Sequence, residues 1–190
     1  MDHFYQNIEG WFDYQDVYGG MVETFGDGAH FVEVGAWKGK SSSYMAVEIA
    51  NSNKNIKFDV VDTWRGSPEH QEGGAFESKE AIEDTLFDIF QNNMADAKDF
   101  YNPVKMGSLE AAETYLDESL DFVFIDASHE YEYVKQDILA WLPKIKRGGF
   151  IGGHDFTPND PPTNGVDRAV KEIFGDSYNV YHVSWLVEIE

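Results

Sequence analysis

Apolar residues recur along this chain in two rhythms: short continuous runs, and longer stretches with apolar positions three and four apart. The short runs predict strands. His30–Val34 ends at Gly35, Phe58–Val61 is closed by Asp62, and Leu120–Ile125, the clearest buried strand, is terminated by Asp126. Val104–Met106 and the glycine-rich Gly149–Gly153 are shorter candidates, and the end of the chain, Asn179–Glu190, is β-rich. The longer rhythm predicts helices. These are Asp16–Phe25 (weakened by Gly19-Gly20), Lys40–Asn51, Ser108–Tyr115, Tyr133–Lys144 and Val166–Phe174. Glu77–Phe100 is the longest periodic segment, with Ile82, Leu86, Ile89, Phe90 and Ala97 expected on one face.

Strands and helices alternate throughout, which implies an α/β fold: a mainly parallel sheet with helices on both faces. Neither a repeat nor an interdomain linker interrupts the pattern, so residues 1–190 are read as one domain. Residues 1–29 form an N-terminal helical extension, and residues 65–100 an insertion that acts as a lid or substrate cover. A second loop, with Pro158, Pro161 and Pro162, is expected to share that role. In such sheets ligands bind at the carboxyl ends of the strands, near the point where strand order reverses. Glu33–Gly35, Asp62, Gly107-Ser108, Asp126 and His154-Asp155 all fall at predicted strand ends. That coincidence is the main reason to look for a site there.

The loop Glu33-Val34-Gly35-Ala36-Trp37-Lys38-Gly39-Lys40-Ser41 joins the first of these strands to its helix. Its glycines allow a tight turn and close backbone approach to a ligand, and the helix that follows offers unpaired N–H groups. A nucleotide-binding P-loop needs one more residue between its glycine and Gly-Lys-Ser, and a dinucleotide Gly-x-Gly-x-x-Gly fingerprint is absent. What stands there is an acidic-x-Gly-x-x-x-Gly loop. It is followed by Val60-Val61-Asp62-Thr63-Trp64, by Ile125-Asp126-Ala127-Ser128-His129-Glu130-Tyr131, and by Gly148-Gly149-Phe150-Ile151-Gly152-Gly153-His154-Asp155. In this order the set resembles class I S-adenosylmethionine-dependent methyltransferases over nearly the whole chain. It is similar in particular to a bacterial and phage subgroup grouped with metal-dependent O-methyltransferases of sugars and natural products.

The resemblance implies a Rossmann-like, seven-stranded fold, S-adenosylmethionine as cofactor, and a small hydroxylated acceptor. Gly35 and Gly39 would admit the methionine portion of the cofactor. Glu33 would meet its amino group, and Ser41 and Ser42 its carboxylate. Asp62 would accept the ribose hydroxyls, Thr63 or Trp64 would flank the adenine, and Gly107-Ser108 would meet its edge. Asp126, His154 and Asp155 would hold a divalent metal, Mn or Mg. The imidazole of His154 favours manganese over magnesium. Asp126 would also touch cofactor, and His129 or His154 would serve as base. Blander readings stand beside these. Ser41–Ser43 suits a helix N-cap, Trp64 suits core or lid, His154 suits a hydrogen-bonded core histidine, and Tyr131 and Tyr133 suit helix-start packing. Two other functional classes stay open: a P-loop-like nucleotide hydrolase, and a non-catalytic methyltransferase-fold binding protein.

Composition narrows the partners. The chain carries 35 acidic against 14 basic residues, a formal charge of −21. A field of that sign repels nucleic acid and anionic membranes, whose binders present basic surface. Cysteine is absent, so disulfides and thiolate metal sites are excluded. The N-terminus lacks the basic start and apolar run of a signal peptide, which together with the missing cysteines points to a cytoplasmic protein. Composition does not set the oligomeric state and leaves a homodimer open.

Overall fold

The computed structural model describes residues 1–67, 70–159 and 164–190. Its sheet has seven strands: β1 (His30–Val34), β2 (Lys57–Asp62), β3 (Asn102–Lys105), β4 (Leu120–Ile125), β5 (Ile145–Gly153), β6 (Asn179–Tyr181) and β7 (Ser184–Glu188). Their order across the sheet is β3-β2-β1-β4-β5-β7-β6. Strands β1 to β5 pair in parallel, while β7 runs antiparallel to both β5 and β6. The order reverses between β1 and β4, so a crevice opens beyond their carboxyl ends. This is the mainly parallel sheet that the alternation of elements predicts and the Rossmann-like, seven-stranded architecture that the resemblance implies.

Period-two alternation divides the core between the two faces. Phe31, Phe122 and Phe124 pack with α1 (Gln15–Thr24), α2 (Lys40–Ser52) and the segment around Phe90. Val32, Val34, Val123 and Ile125 pack on the other face with α5 (Ser108–Glu113), α6 (Tyr131–Trp141) and α7 (Gly165–Phe174). Asn164 caps α7 with a reciprocal box, its side chain accepting from the Asp167 N–H while Asp167 accepts from the Asn164 N–H.

The expected long helix between Glu77 and Phe100 is not continuous. It divides into α3 (Lys79–Ile82), α4 (Leu86–Asn93) and a single 3-10 turn at Ala95–Ala97. Asp84 takes a left-handed φ of 55°, which breaks the helix between α3 and α4. Leu86, Phe90 and Ala97 are buried as the periodicity requires, but Ile82 lies before the break and is exposed. Two strands are longer or earlier than their apolar runs: β5 begins at Ile145, and β3 covers 102–105. Part of the two loops expected over the site, including Pro161 and Pro162, lies outside the described residues. None of the described helices is long and apolar enough to cross a membrane.

Candidate active site

A cavity of about 860 Å³ occupies the crevice. Its walls include Gly35, Ser41, Asp62, Thr63, Gly107, Ser108, Asp126, His129, His154 and Asp155. Ten residues singled out in the sequence therefore converge on one space, although they come from the ends of five strands and their following loops.

Gly35 sits where β1 meets β4. Its φ is +94°, and a Cβ there would fall 2.0 Å from the Asp126 carbonyl oxygen. Only glycine lets the two loops meet this closely. Asp62 ties the same loop down. One carboxylate oxygen accepts from the N–H of Ala36 (2.8 Å) and Trp37 (3.0 Å), and the other from the N–H of Trp64 (2.7 Å). Asp62 thus positions the cofactor-type loop, a role beyond the ribose contact expected of it. The Ser108 hydroxyl accepts from Trp141 Nε1 at 3.0 Å. Beside it lies the buried Asp137, whose pKa burial pushes up to about 6 against the opposing bond to Ser108.

Four expected cofactor contacts do not reach the cavity wall. Glu33 shares the face of Phe31, two residues earlier, and is buried beneath α1 and α2. There it accepts from the hydroxyls of Tyr18 (2.8 Å) and Ser42. Burial pushes its pKa up to about 7, although the hydroxyls of Ser41, Ser42 and Tyr18 favour the charged form. Ser42 is spent on that bond, and only Ser41 of the pair lines the cavity. Gly39 starts α2 with a left-handed φ of 90°, and a Cβ there would face Phe90 and Met94, away from the crevice. Trp64 is wholly buried against Phe87 and Phe90, its Nε1–H donating to the Trp37 carbonyl. It is core, as its blander reading had it. Tyr131 packs under Arg168 as expected, whereas Tyr133 is exposed on the cavity wall.

Asp126, His154 and Asp155 each present a ligand-type atom, all within 4.8 Å of one another. His129 Nε2 lies 2.9 Å from Asp155, and His154 Nδ1 lies 3.2 Å from Asp155 and 3.6 Å from Asp126. The cluster separates its own charges. Burial raises the pKa of Asp126, partly offset by His154. His129 and His154 hold Asp155 far below the usual carboxylate range. Burial would lower the pKa of His154, but the bond to Asp155 and the charges of Asp126 and Asp155 outweigh it and push the value up to about 9.

Sequence reasoning missed the support supplied by the N-terminal segment. Asp13 meets His154 Nε2 at 2.8 Å, and the Tyr14 hydroxyl donates to Asp126 at 2.8 Å. With Tyr18 on Glu33, one short stretch holds three groups of the site. The available signal was the pair of tyrosines at the start of α1: Tyr14 precedes the helix, and its ring lies 5.0 Å from that of Tyr18 one turn on. Gly165 was also missed: a Cβ there would fall 2.2 Å from the His129 carbonyl oxygen, so α7 packs tightly under the His129 loop.

Residues 32–156 match a family of methyltransferase domains. The chain belongs to this methyltransferase family. Among curated proteins, none matches it in sequence. Solved structures of the same fold include the O-methyltransferase NovP, with TM-score 0.64 and 17% identity over 93% of this chain and 79% of that one. An O-methyltransferase of Bacillus cereus, in complex with SAH (S-adenosylhomocysteine), gives 0.61 and 17% over 94% and 80%. Fibrillarin of Aeropyrum pernix, with natively bound S-adenosyl-L-methionine, gives 0.55 and 9% over 90% and 73%.

Proposed function

We propose that this methyltransferase uses S-adenosylmethionine to methylate a hydroxyl oxygen of a small sugar or natural-product-like acceptor. One observation carries the reading: in a methyltransferase-family chain, the Gly35 loop, Asp62 and the Asp126/His154/Asp155 cluster open onto one cavity. The cofactor's methionine end belongs beside Gly35 and Ser41, its ribose beside Asp62, and its adenine beside Thr63, Gly107 and Ser108. Glu33 then acts through Ser41 from beneath the floor. The P-loop hydrolase reading lacks any such family support.

Methyl transfer from a sulfonium is an in-line displacement, in which the protein orients the reactants and the acceptor hydroxyl loses its proton. His129 lies beside the cluster with Asp155 on its Nε2, the arrangement of a base held by a carboxylate. His154, held cationic to about pH 9 in the metal-free protein, is poorly suited to accept a proton near neutrality. Asp126, His154 and Asp155 fit a divalent ion by donor type and proximity, and Asp13 on the far nitrogen of His154 matches the carboxylate partner typical of metal-ligating histidines. An ion there would lower the pKa of the acceptor hydroxyl. The O–N–O donor set favours manganese over magnesium.

The test is a thermal melt with S-adenosylhomocysteine, followed by turnover on hydroxylated acceptors. At ligand one hundred times its Kd, mass action adds about 2.7 kcal/mol, or roughly 5–10 °C for a chain of this length. His129→Ala should keep that shift and lose turnover by roughly a hundredfold or more. No shift at millimolar ligand refutes the cofactor assignment. A shift with no turnover on any acceptor favours the non-catalytic binding protein.

A further inference from the structure

The cavity wall beyond the expected cofactor positions has two properties that bear on the acceptor. The first is exposed aromatic surface. Trp11 is 76% exposed and Phe76 63% exposed, yet both line the cavity. They come from separate segments, the N-terminal stretch and the loop before α3. Those segments are tied together across the mouth by Lys38, whose Nζ lies 2.8 Å from both Glu9 and Glu80. Large aromatic faces left in water at the rim of a cavity cost free energy unless something covers them. The tie holds the two segments at the mouth, so the covering group is one that enters the cavity.

The second property is charge. Away from the adenine end, Glu9, Asp126 and Asp155 line this space, the last two paired with His129 and His154, and its lysines are Lys38, already paired twice, and Lys40. Arginine is absent from the described lining. A phosphate or carboxylate on the acceptor would find no free guanidinium to meet it, and it would enter against the field of a chain of formal charge −21. A cation would meet carboxylates and aromatic faces together.

Resting on the methyltransferase reading, we propose that Trp11 and Phe76 form the acceptor clamp, and that the site selects an uncharged or cationic ring-bearing acceptor over anionic ones. Phosphorylated, nucleotide-linked and coenzyme-A-linked acceptors are thereby disfavoured. Trp11 and Phe76 set specificity by stacking on the ring, and the carboxylates on the wall set the charge preference.

The experiment is calorimetric binding to the protein saturated with S-adenosylhomocysteine, which cannot donate a methyl group. Three catechols of matched size serve as probes: dopamine (cation), 4-methylcatechol (neutral) and 3,4-dihydroxybenzoate (anion). Dopamine should bind roughly tenfold or more tighter than the anion at low salt, with the gap narrowing as ionic strength rises. Trp11→Ala and Phe76→Ala should each weaken dopamine and 4-methylcatechol by roughly fivefold and leave the S-adenosylhomocysteine affinity unchanged. The proposal is overturned if the anion binds as tightly as dopamine, if both variants bind all probes normally, or if no probe binds while S-adenosylhomocysteine does. Failure of S-adenosylhomocysteine itself to bind would instead refute the cofactor assignment.

Discussion

Two positions at the end of β1 carry the strongest physical constraints at the level of single residues. Glu33 is an acid whose folded pKa of about 7 stands above its ordinary value of 4.5. The folded protein therefore holds a proton that the unfolded chain releases, and cofactor-free stability falls as pH rises from about 4.5 to 7. The full loss is about 3 kcal/mol at most. Glu33→Gln should flatten that slope, which urea midpoints between pH 5 and 8 would detect; an unchanged slope would clear Glu33 of the effect. At Gly35 the constraint is steric. Gly35→Ala places a methyl group 2.0 Å from a backbone oxygen at a φ of +94°, so β1 and β4 must part. We expect a cost of roughly 2–4 kcal/mol in the urea midpoint, along with lost cofactor binding. A variant of normal stability would mean that the crevice is looser than its geometry implies. Gly35 and Asp62 were legible in the sequence because a turn glycine and a strand-end acid are defined by local position. The inward turn of Glu33 depends on which sheet face α1 covers, and strand parity alone gives two equivalent faces.

Among the elements, those with one strong apolar rhythm were readable and those made of several short pieces were not. β1 and β4 coincide with their apolar runs, and α7 with its amphipathic stretch to within one residue. The Glu77–Phe100 stretch kept a helical rhythm on both sides of Asp84, so nothing in the spacing marked the left-handed residue that divides it. The N-terminal segment was read as an extension because its contacts are long-range. Asp13 and Tyr14 reach residues more than a hundred positions away, and such pairings leave no local trace. The Lys38 tie belongs to this class as well. Its side chain is nearly buried while Glu9 is largely exposed, so the ion pairs add little to global stability. Their effect is local: they hold α3 and the residues from 70 onward that lead into it to the N-terminal stretch. Lys38→Met should leave the urea midpoint within about 1 kcal/mol yet speed tryptic cleavage after Lys79 severalfold. Cleavage at the original rate would show that α3 is held by its apolar contacts alone.

At the scale of the whole molecule, charge works against the compact state and governs what can approach it. A formal −21 on 190 residues means that folding gathers like charges, and the resulting self-repulsion is long-range and exposed to salt. Most of the ion pairs are surface pairs worth little individually, so screening removes more repulsion than attraction. Stability should therefore rise with ionic strength, the reverse of a protein held together by surface salt bridges. Raising sodium chloride from 10 to 300 mM shortens the screening length from about 30 Å to below 8 Å, and we expect the melting temperature to climb by several degrees. Sodium sulfate also strengthens apolar burial, so chloride is the informative salt. The same field predicts no retardation of the protein by duplex DNA or transfer RNA at 50 mM salt, since no released counterions would drive the association. A melting temperature that falls with added chloride would show that attractive pairs outweigh the net charge. Retardation by RNA under those conditions would reveal a basic face that the overall balance conceals, and would shift the search for acceptors from small molecules to nucleic acid.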